Sequence, residues 1–209
     1  MTLDPQKLGQ QLRHPQGELG LRVADGMQQS NQRLLQNCLT ALQLTGTDYL
    51  LELGPGNGAH VPAMLPVGAR YLGLDNSADM VQAAQAQASG QWHFVQGDLH
   101  ELPYQEQFTA LLSLNTCYFW QDLLGVSARL FTALKPAGRL VLGLRSRASM
   151  ATQPQFAGFQ LFDGSELADS LHKTGFTDIA VTPHDDDTLT IAGHHFAMSS
   201  LVIKAQKPG

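Results

Sequence analysis

The chain has 209 residues, of which 43% are hydrophobic and 15% are charged, and its formal net charge is −5. This apolar content excludes intrinsic disorder, and the length fits one domain of ordinary to large size. The 13 lysines and arginines are scattered singly. No basic stripe is available to neutralise a phosphate backbone, so we expect no nucleic-acid partner.

The remaining composition indicates a soluble chain. Its apolar runs are far shorter than the ~20 residues needed to cross a bilayer, so we expect no membrane partner. The first residues, MTLDPQKLGQ, contain an early aspartate and lack the apolar stretch of a secretory signal. Cys38 and Cys117 form no CxxC motif, which argues against a disulfide scaffold or a cysteine-based zinc site. We therefore expect a cytoplasmic protein, and the sequence indicates no oligomeric state.

The predicted elements begin with a long helix at about residues 18–44, where apolar residues recur mostly every three or four positions. Short apolar runs and helix-length amphipathic segments then alternate along the chain. We predict strands at 49–53, 70–74, 92–95, 108–114 and 139–144, and helices at 58–66, 77–89 and 120–134. Near-continuous apolar strands joined by helices are typical of a parallel sheet covered on both faces.

The last sixty residues follow a different pattern. Asp163 and Glu166 have the spacing of a capping box, which predicts a helix that ends near Gly175. Two apolar runs follow, at 176–181 and 198–205, with no helix-length segment between them. The simplest connection is antiparallel, so we predict that the sheet is finished by a hairpin-like edge pair.

A glycine-rich loop, LELGPGNG at 51–58, directly follows the first predicted strand. Glycine lets a ligand approach the backbone, and open parallel sheets bind ligands at the carboxyl ends of their strands. Residues 54–62 contain no lysine or arginine, which argues against a triphosphate-binding Walker loop. Gly54, Gly56 and Ala59 also satisfy the permissive dinucleotide pattern, so the loop alone leaves an NAD(P)-dependent reductase open.

Carboxylates mark the ends of the first three predicted strands. Glu52 precedes the glycine loop, Asp75 ends the second strand, and Asp98 follows the third. Three anions around one pocket repel a pyrophosphate but suit a nucleoside that carries an ammonium and a sulfonium. The predicted ligand is therefore a cationic adenosine.

From about residue 49 to 144 the chain resembles the class I S-adenosylmethionine-dependent methyltransferases, and its N-terminal stretch resembles small bacterial members of unassigned substrate. The resemblance rests on ELGPGNG at 52–58, on Asp75, on Asp98-Leu99 and on LKPAGRL at 134–140. Ala137 in the last motif stands where many members have glycine. The resemblance implies S-adenosyl-L-methionine as cofactor, with Glu52 near its ammonium, Asp75 on the ribose hydroxyls and Asp98 with Leu99 at the adenine. The predicted cofactor-binding residues are Glu52, Gly54, Pro55, Gly56, Asn57, Gly58, Asp75, Asn76, Met80, Gly97, Asp98, Leu99 and Asn115.

The resemblance also completes the predicted architecture. The fold is α/β, a doubly wound Rossmann-like sheet of seven mostly parallel strands with an antiparallel C-terminal edge pair and an N-terminal helical extension. We expect a single methyltransferase domain in three parts. Residues 1–46 would form a helical cap or lid, 47–145 the cofactor-binding core, and 146–209 the C-terminal helix and edge strands.

Two residues are candidates for catalysis, although in-line methyl transfer needs a base only for a protonated acceptor. His60 lies just after the glycine loop, where a helix N-terminus would favour the neutral imidazole of a base. The alternative is a histidine that only packs against the cofactor. Tyr118 lies in SLNTCYFW at 113–120, the stretch in which this family faces its substrate. This stretch lacks the prolines of the Asn-Pro-Pro-aromatic signature, which favours a small-molecule acceptor stacked on Tyr118, Phe119 or Trp120.

Several features keep a second interpretation. Phe119 and Trp120 fit a core helix start equally well, and Met27 fits either a lid or the core. Arg145 and Arg147 would suit an acidic substrate, but exposed loop arginines are the simpler assumption. Residues 184–187 (HDDD), with His194 and His195, match no metal-site spacing, so we predict a solvated turn and no metal. The competing functions are the reductase and a non-catalytic S-adenosylmethionine-binding protein.

Overall fold

The computed structural model describes residues 4–186, 189–191, 194–196 and 198–209. The helices are α1 Pro5–Arg13, α2 Gly17–Ser30, α3 Gln32–Leu42, α4 Val61–Met64, α5 Ala78–Ala84, α6 Leu123–Ala133, α7 Arg147–Met150 and α8 Gly164–Lys173. The strands are β1 Tyr49–Leu53, β2 Arg70–Asp75, β3 Trp92–Gln96, β4 Phe108–Leu114, β5 Leu134–Arg145, β6 Thr177–Asp185, β7 Leu189–Ile191, β8 His194–Phe196 and β9 Ser199–Gln206.

Seven strands form one sheet in the order β3-β2-β1-β4-β5-β9-β6. Strands β1 to β5 pair in parallel, and β9 runs antiparallel to both of its neighbours, β5 and β6. The predicted α/β fold with an antiparallel C-terminal pair is confirmed, with β6 at the edge and β9 inside the sheet. The strand order reverses between β1 and β4, and this switch point is where open α/β sheets bind ligands.

Helices cover both faces of the sheet, because alternate side chains of each buried strand point to opposite sides. Leu51 and Leu53 of β1 belong to a buried cluster that includes Leu130 of α6 and Leu171 of α8. Leu50 belongs to a second cluster, which includes Leu34, Cys38 and Leu42 of α3. None of the helices in the described ranges is both long and apolar enough to span a membrane.

The helix boundaries differ from the predictions at several points. The segment predicted as one helix at 18–44 is divided at Asn31 into α2 and α3, and the carbonyl of Ser30 accepts a hydrogen bond from Arg145 instead of continuing the helix. The helix predicted at 58–66 is the four-residue α4. The helix predicted at 77–89 is α5 followed by a 3-10 turn at Gln85–Gln87, and the one predicted at 120–134 is α6, which Asp122 caps. The capping box of Asp163 and Glu166 is confirmed at the start of α8.

Ala137 gives the first testable prediction, because this exposed residue has a left-handed backbone with φ of 61°. The left-handed conformation costs an L-residue ~1–2 kcal/mol, and glycine avoids this cost. Part of that gain is offset, because glycine also gives the unfolded chain more conformational entropy. We expect Ala137→Gly to raise the free energy of unfolding by ~0.5–1 kcal/mol, measured by denaturant unfolding. The same change at Ala128, an exposed position in α6, is the matched control and should lower it by ~1 kcal/mol. Equal effects of the two changes would contradict the argument.

Candidate active site

A cavity of about 740 Å³ lies at the carboxyl ends of β1 to β4, next to the switch point of the sheet. It brings together every predicted site residue except two. The predicted residues on its wall are Glu52, Gly54, Pro55, Gly56, Asn57, His60, Asp75, Asn76, Gly97, Asp98, Leu99, Asn115 and Tyr118. Residues at or just after the carboxyl ends of four strands, and residues of the glycine loop, therefore converge on one space.

Gly58 and Met80 are the two predicted residues that do not line this cavity. A Cβ atom on Gly58 would lie 2.8 Å from the Phe94 ring, so this glycine lets the loop pack against the sheet. Met80 is fully buried in α5. Both residues pack behind the cavity wall, and their contact with the cofactor stays a prediction.

The floor of the cavity is the backbone of the glycine loop. Gly54 and Gly56 both have positive φ, at 72° and 59°, which L side chains adopt only at a cost. A Cβ atom on Gly54 would meet Thr116 at 2.6 Å, whereas one on Gly56 would meet no atom within 4 Å. Gly54 is thus required for packing, and Gly56 leaves open space in which a ligand can contact the loop.

Asp75 connects the end of β2 to this loop. One carboxylate oxygen accepts a hydrogen bond from the Gly56 amide (3.0 Å), and the other accepts one from the Ser77 amide (2.9 Å). Burial raises the pKa of Asp75, and although these two amide bonds oppose it, the pKa stays above its ordinary value. Asp98, by contrast, has a side chain that is 58% exposed, and its pKa is lowered by a hydrogen bond from the His100 amide.

Glu52 is buried beneath the loop and is already hydrogen-bonded. Tyr71 donates its hydroxyl proton to one carboxylate oxygen (2.7 Å), and Nε2 of His60 lies 2.9 Å from the other. Burial alone would lower the pKa of His60, but the charge of Glu52 and the hydrogen bond to it outweigh burial and raise the pKa. Contact with Glu52 thus shifts the pKa of His60 in the direction opposite to the one expected from a helix N-terminus, and α4 has only four residues.

The raised pKa of His60 predicts a pH dependence of stability. Because the folded state holds this proton more tightly than the unfolded state, the stabilisation is fully present below the unfolded pKa of about 6.5. It disappears as the pH rises through the higher pKa of the folded protein. We expect the difference in free energy of unfolding between wild type and His60→Gln to shrink across this window, measured by denaturant unfolding at a series of pH values. A difference that grows with pH would contradict the assignment.

The N-terminal helices lie across the cavity and are hydrogen-bonded to the loops that form it. Asn57 of the glycine loop donates to Asp25 of α2 (2.8 Å), and the amide of Gly17 donates to Asp79 (2.7 Å). Ser77 donates to the carbonyl of Pro15 (2.6 Å). Met27 of α2 lines the cavity, so the structure places it on the cavity wall and not in the buried core.

A second cavity of about 330 Å³ adjoins the first. The two share the wall residues Leu12, Met27, Asn31, Asn115, Tyr118 and Phe119. The other residues that line the second cavity are Gln29, Ser30, Arg33, Arg145, Met150, Phe156, Asp186 and Met198. Half of the residues on this wall are apolar or aromatic, and the other half are polar or charged.

Tyr118 and Asn115 stand at the junction of the two cavities. The Tyr118 hydroxyl accepts a hydrogen bond from the Arg145 amide (2.6 Å) and donates to Oδ1 of Asn115 (3.0 Å). Burial raises the pKa of Tyr118 well above its ordinary value, so the phenol keeps its proton near neutral pH. The catalytic role of Tyr118 stays a prediction. Phe119 lines both cavities, whereas Trp120 is completely buried in the core.

Arg145, at the end of β5, and Arg147, at the start of α7, are both paired with carboxylates, so neither supports the suggested contact with an acidic substrate. Arg145 and Asp186 form a buried ion pair at 2.6 Å, and Arg147 pairs with Asp163 and Glu166 at the surface.

The acidic stretch at 184–187 is only partly described, and where it is, it differs from a solvated turn. The Asp186 side chain is 3% exposed, while His184 and Asp185 belong to β6. Asp187 lies outside the described residues, and the backbone at 194–196 forms β8. Within the ranges that the structure describes, no three histidine, cysteine, aspartate or glutamate residues are grouped to hold a metal ion.

Sequence reasoning missed the cavity residues of α1 and the role of Asp186. Leu12 and Arg13 line the first cavity from α1. A signal for this helix was present, because Asp4 accepts a hydrogen bond from the Lys7 amide and Pro5 occupies the first turn, a typical helix start. No local signal marks Asp186, whose partner Arg145 is 41 residues away.

Comparison with known proteins agrees with this site. Residues 51–142 match the family model described as a methyltransferase domain. The chain is 26% identical over 159 residues to the uncharacterized methyltransferase YdaC of Bacillus subtilis, which covers 74% of this chain and 86% of that protein.

Solved structures share the fold. The complex between the Haloferax volcanii Trm112 methyltransferase activator and a methyltransferase contains a chain with a TM-score of 0.76 and 19% identity, covering 89% of this chain and 93% of that one. Phosphoethanolamine N-methyltransferase 2 of Haemonchus contortus, solved with S-adenosyl-L-methionine, has a TM-score of 0.68 and 15% identity, covering 85% and 53%.

The fold and the convergence of glycines and carboxylates at the switch point define a Rossmann-like protein that binds a nucleoside cofactor. Together with the methyltransferase-domain match over residues 51–142, these features support a class I S-adenosylmethionine-dependent methyltransferase with S-adenosyl-L-methionine as its cofactor. The alternative of an NAD(P)-dependent reductase is thereby replaced.

Proposed function

We propose that this enzyme transfers the methyl group of S-adenosyl-L-methionine to a small-molecule acceptor by in-line displacement. The observation that carries the proposal is the second cavity, which meets the first at Asn115, Tyr118 and Phe119. An acceptor in the smaller space would face a donor in the larger one across this junction. The size of the smaller cavity and the aromatic and apolar residues on half of its wall are typical of small-molecule sites.

The residues of the larger cavity fit the cofactor. Gly56 leaves open space over the loop, and Asp75 is held by two backbone amides at the end of β2. We propose that Asp75 binds the ribose hydroxyls, that Asp98 and Leu99 bind the adenine, and that Glu52 lies near the ammonium. When bound, the cofactor supplies an electrophilic methyl group on a sulfonium.

The protein's own part in the reaction is to position the reactants and exclude water. Helices α1 and α2 lie across the cavity, and water exclusion strengthens the electrostatic interactions within it. His60 holds the Glu52 carboxylate, which leaves it a positioning residue in this mechanism. Tyr118 fixes Asn115 and the end of β5 at the junction. Orientation of this kind contributes a large share of the rate in displacement reactions.

The surroundings of the second cavity support an uncharged or weakly polar acceptor over an acidic one. Asp186 neutralises Arg145, so this guanidinium is not available to a carboxylate. Small-molecule methylation also agrees with the Haemonchus contortus neighbour, which is a phosphoethanolamine N-methyltransferase. The scattered basic residues support our proposal that nucleic acid is not a substrate, and the two buried free thiols support a reducing, cytoplasmic location.

Two measurements test the proposal in sequence. At a hundred times its dissociation constant, S-adenosyl-L-methionine should stabilise the protein by ~2.7 kcal/mol, or a shift of ~5–11 °C in the unfolding midpoint. Methyl-labelled cofactor is then incubated with the enzyme and small-molecule fractions, with nucleic acid and with protein. Label in the small-molecule fraction alone supports the proposal. Label only in macromolecules contradicts it, and label in none would favour the non-catalytic binding protein.

A further inference from the structure

Asp186 presents an unused hydrogen-bond acceptor at the acceptor cavity. It lines the second cavity, its side chain is only 3% exposed, and its Oδ2 atom pairs with Nη1 of Arg145 at 2.6 Å. The other carboxylate oxygen, Oδ1, is buried and has no hydrogen-bond partner among the residues that the structure describes. Half of this carboxylate is therefore satisfied and half is not.

A buried carboxylate oxygen without a hydrogen-bond partner destabilises the folded protein, and most buried polar groups in proteins are hydrogen-bonded. Arg145, the partner of Asp186, is itself held in place, because it also donates a hydrogen bond to the carbonyl of Ser30 at the end of α2. The carboxylate is thus held in place by a paired arginine. The wall also contains Asn31 and Asn115, but their Oδ1 atoms already accept hydrogen bonds from Arg145 and Tyr118, respectively.

We propose that Asp186 is a specificity-determining residue, and that the methyl acceptor is a small, largely apolar molecule whose N–H or O–H group donates a hydrogen bond to Oδ1 of Asp186. This inference rests on the proposed function, because it concerns the ligand of the second cavity. It specifies the substrate class as an amine, an N-heterocycle, a phenol or an alcohol. Carboxylic acids and acceptors without a donor are disfavoured, because neither satisfies this oxygen.

The first test compares ligands that differ only in the donor group. Binding of indole and benzofuran, and of phenol and fluorobenzene, is measured by ligand-observed NMR titration with the wild-type protein saturated with S-adenosylhomocysteine. A hydrogen bond to a charged group corresponds to a tenfold or larger change in affinity. We expect indole and phenol each to bind at least tenfold more tightly than their donor-free partners. The pair with the larger difference in affinity shows whether the site prefers an N–H or an O–H donor.

The second test reverses the polarity of the site. In Asp186→Asn, Arg145 retains the amide oxygen, which leaves an N–H donor where Oδ1 was. The preference should then disappear or turn toward benzofuran. Asp163→Asn is the matched control, because it weakens an aspartate–arginine pair at the surface and should leave the preference unchanged. A midpoint shift with S-adenosylhomocysteine equal to that of wild type shows that Asp186→Asn is folded with its cofactor site intact.

The outcomes separate the two proposals. Equal binding of both members of each pair by wild type, or an unchanged preference in Asp186→Asn, overturns the role of Asp186 and leaves small-molecule methylation standing. Failure of all four ligands to bind wild type, with S-adenosylhomocysteine bound, overturns the role of Asp186, and the labelling experiment decides small-molecule methylation separately. If Asp186→Asn does not fold, the comparison of the ligand pairs on wild type decides the question alone.

Discussion

Replacement of Asp75 by alanine is expected to weaken the binding of S-adenosyl-L-methionine by at least tenfold. Two effects combine, because the variant loses the carboxylate proposed to bind the ribose and also the acceptor that holds the Gly56 and Ser77 amides. A hydrogen bond to a charged group contributes ~1.5–3 kcal/mol, and 1.4 kcal/mol corresponds to a factor of ten in affinity. Isothermal titration calorimetry measures the change directly.

The control for this experiment is Asp169→Ala, which removes an exposed carboxylate on α8 away from both cavities. It should bind the cofactor as tightly as wild type does. Asp75→Asn retains an oxygen that can accept from one of the two amides, so we expect an intermediate affinity. If Asp75→Ala binds the cofactor as tightly as wild type, the assignment of the cavity is wrong.

Trp120→Ala is expected to produce the largest loss of stability. This indole is fully buried, and removal of a buried large aromatic side chain costs ~3–5 kcal/mol. For a chain of this length, this lowers the unfolding midpoint by ~6–20 °C. Chemical denaturation followed by circular dichroism gives the free energy, provided that the slope with denaturant is unchanged.

Trp120→Phe is the matched control for the packing argument. The Trp120 Nε1 atom is buried and lacks a hydrogen-bond partner within the described part of the chain. Phenylalanine removes this unsatisfied donor while it fills most of the space, so we expect a loss below ~1.5 kcal/mol. A loss in Trp120→Ala no larger than that in Trp120→Phe would show that Trp120 is not a core residue.

Sequence reasoning predicted the central sheet well, because its signals are local. Strands β1 to β4 start where the apolar runs start and end within one residue of the predictions. Buried parallel strands need continuous apolar segments, and these are visible without knowledge of the fold. The strand ends also placed Glu52, Asp75 and Asp98 around a single cavity, since parallel strands share one carboxyl edge.

Predictions failed where a distant residue decides the local structure. Residues 28–33 are polar, but Leu34 follows Met27 by seven positions, which keeps the helical phase, so the break between α2 and α3 at Asn31 was not predicted. The hydrogen bond from Arg145 to the Ser30 carbonyl is visible only in the fold. Glu52 could be placed near the cofactor, but its bonds to Tyr71 and His60 depend on how β2 and the loop pack. The charge of Glu52 and its hydrogen bond to His60 are what raise the pKa of His60, against the direction expected from the sequence.

The acidic stretch at 184–187 is a second place where a distant residue decides the local structure. Its composition is typical of a hydrated turn. Which of its side chains is buried depends on tertiary contacts that the sequence does not show. Burial of Asp186 follows from the pair with Arg145, which connects the start of the segment after β6 to the end of β5. A sequence without the fold contains no information on which of the three aspartates faces inward.

The attachment of α2 to the cofactor loops has a kinetic consequence. Gly17 and Asp25 are tied to Asp79 and Asn57, next to the residues that line the donor cavity. Binding of the cofactor or its product in the cavity and the ordering of α2 are then thermodynamically linked, so each stabilises the other. Each cycle must loosen these anchors before fresh donor enters, and we expect this opening, more than the bond exchange at sulfur, to set the pace of turnover.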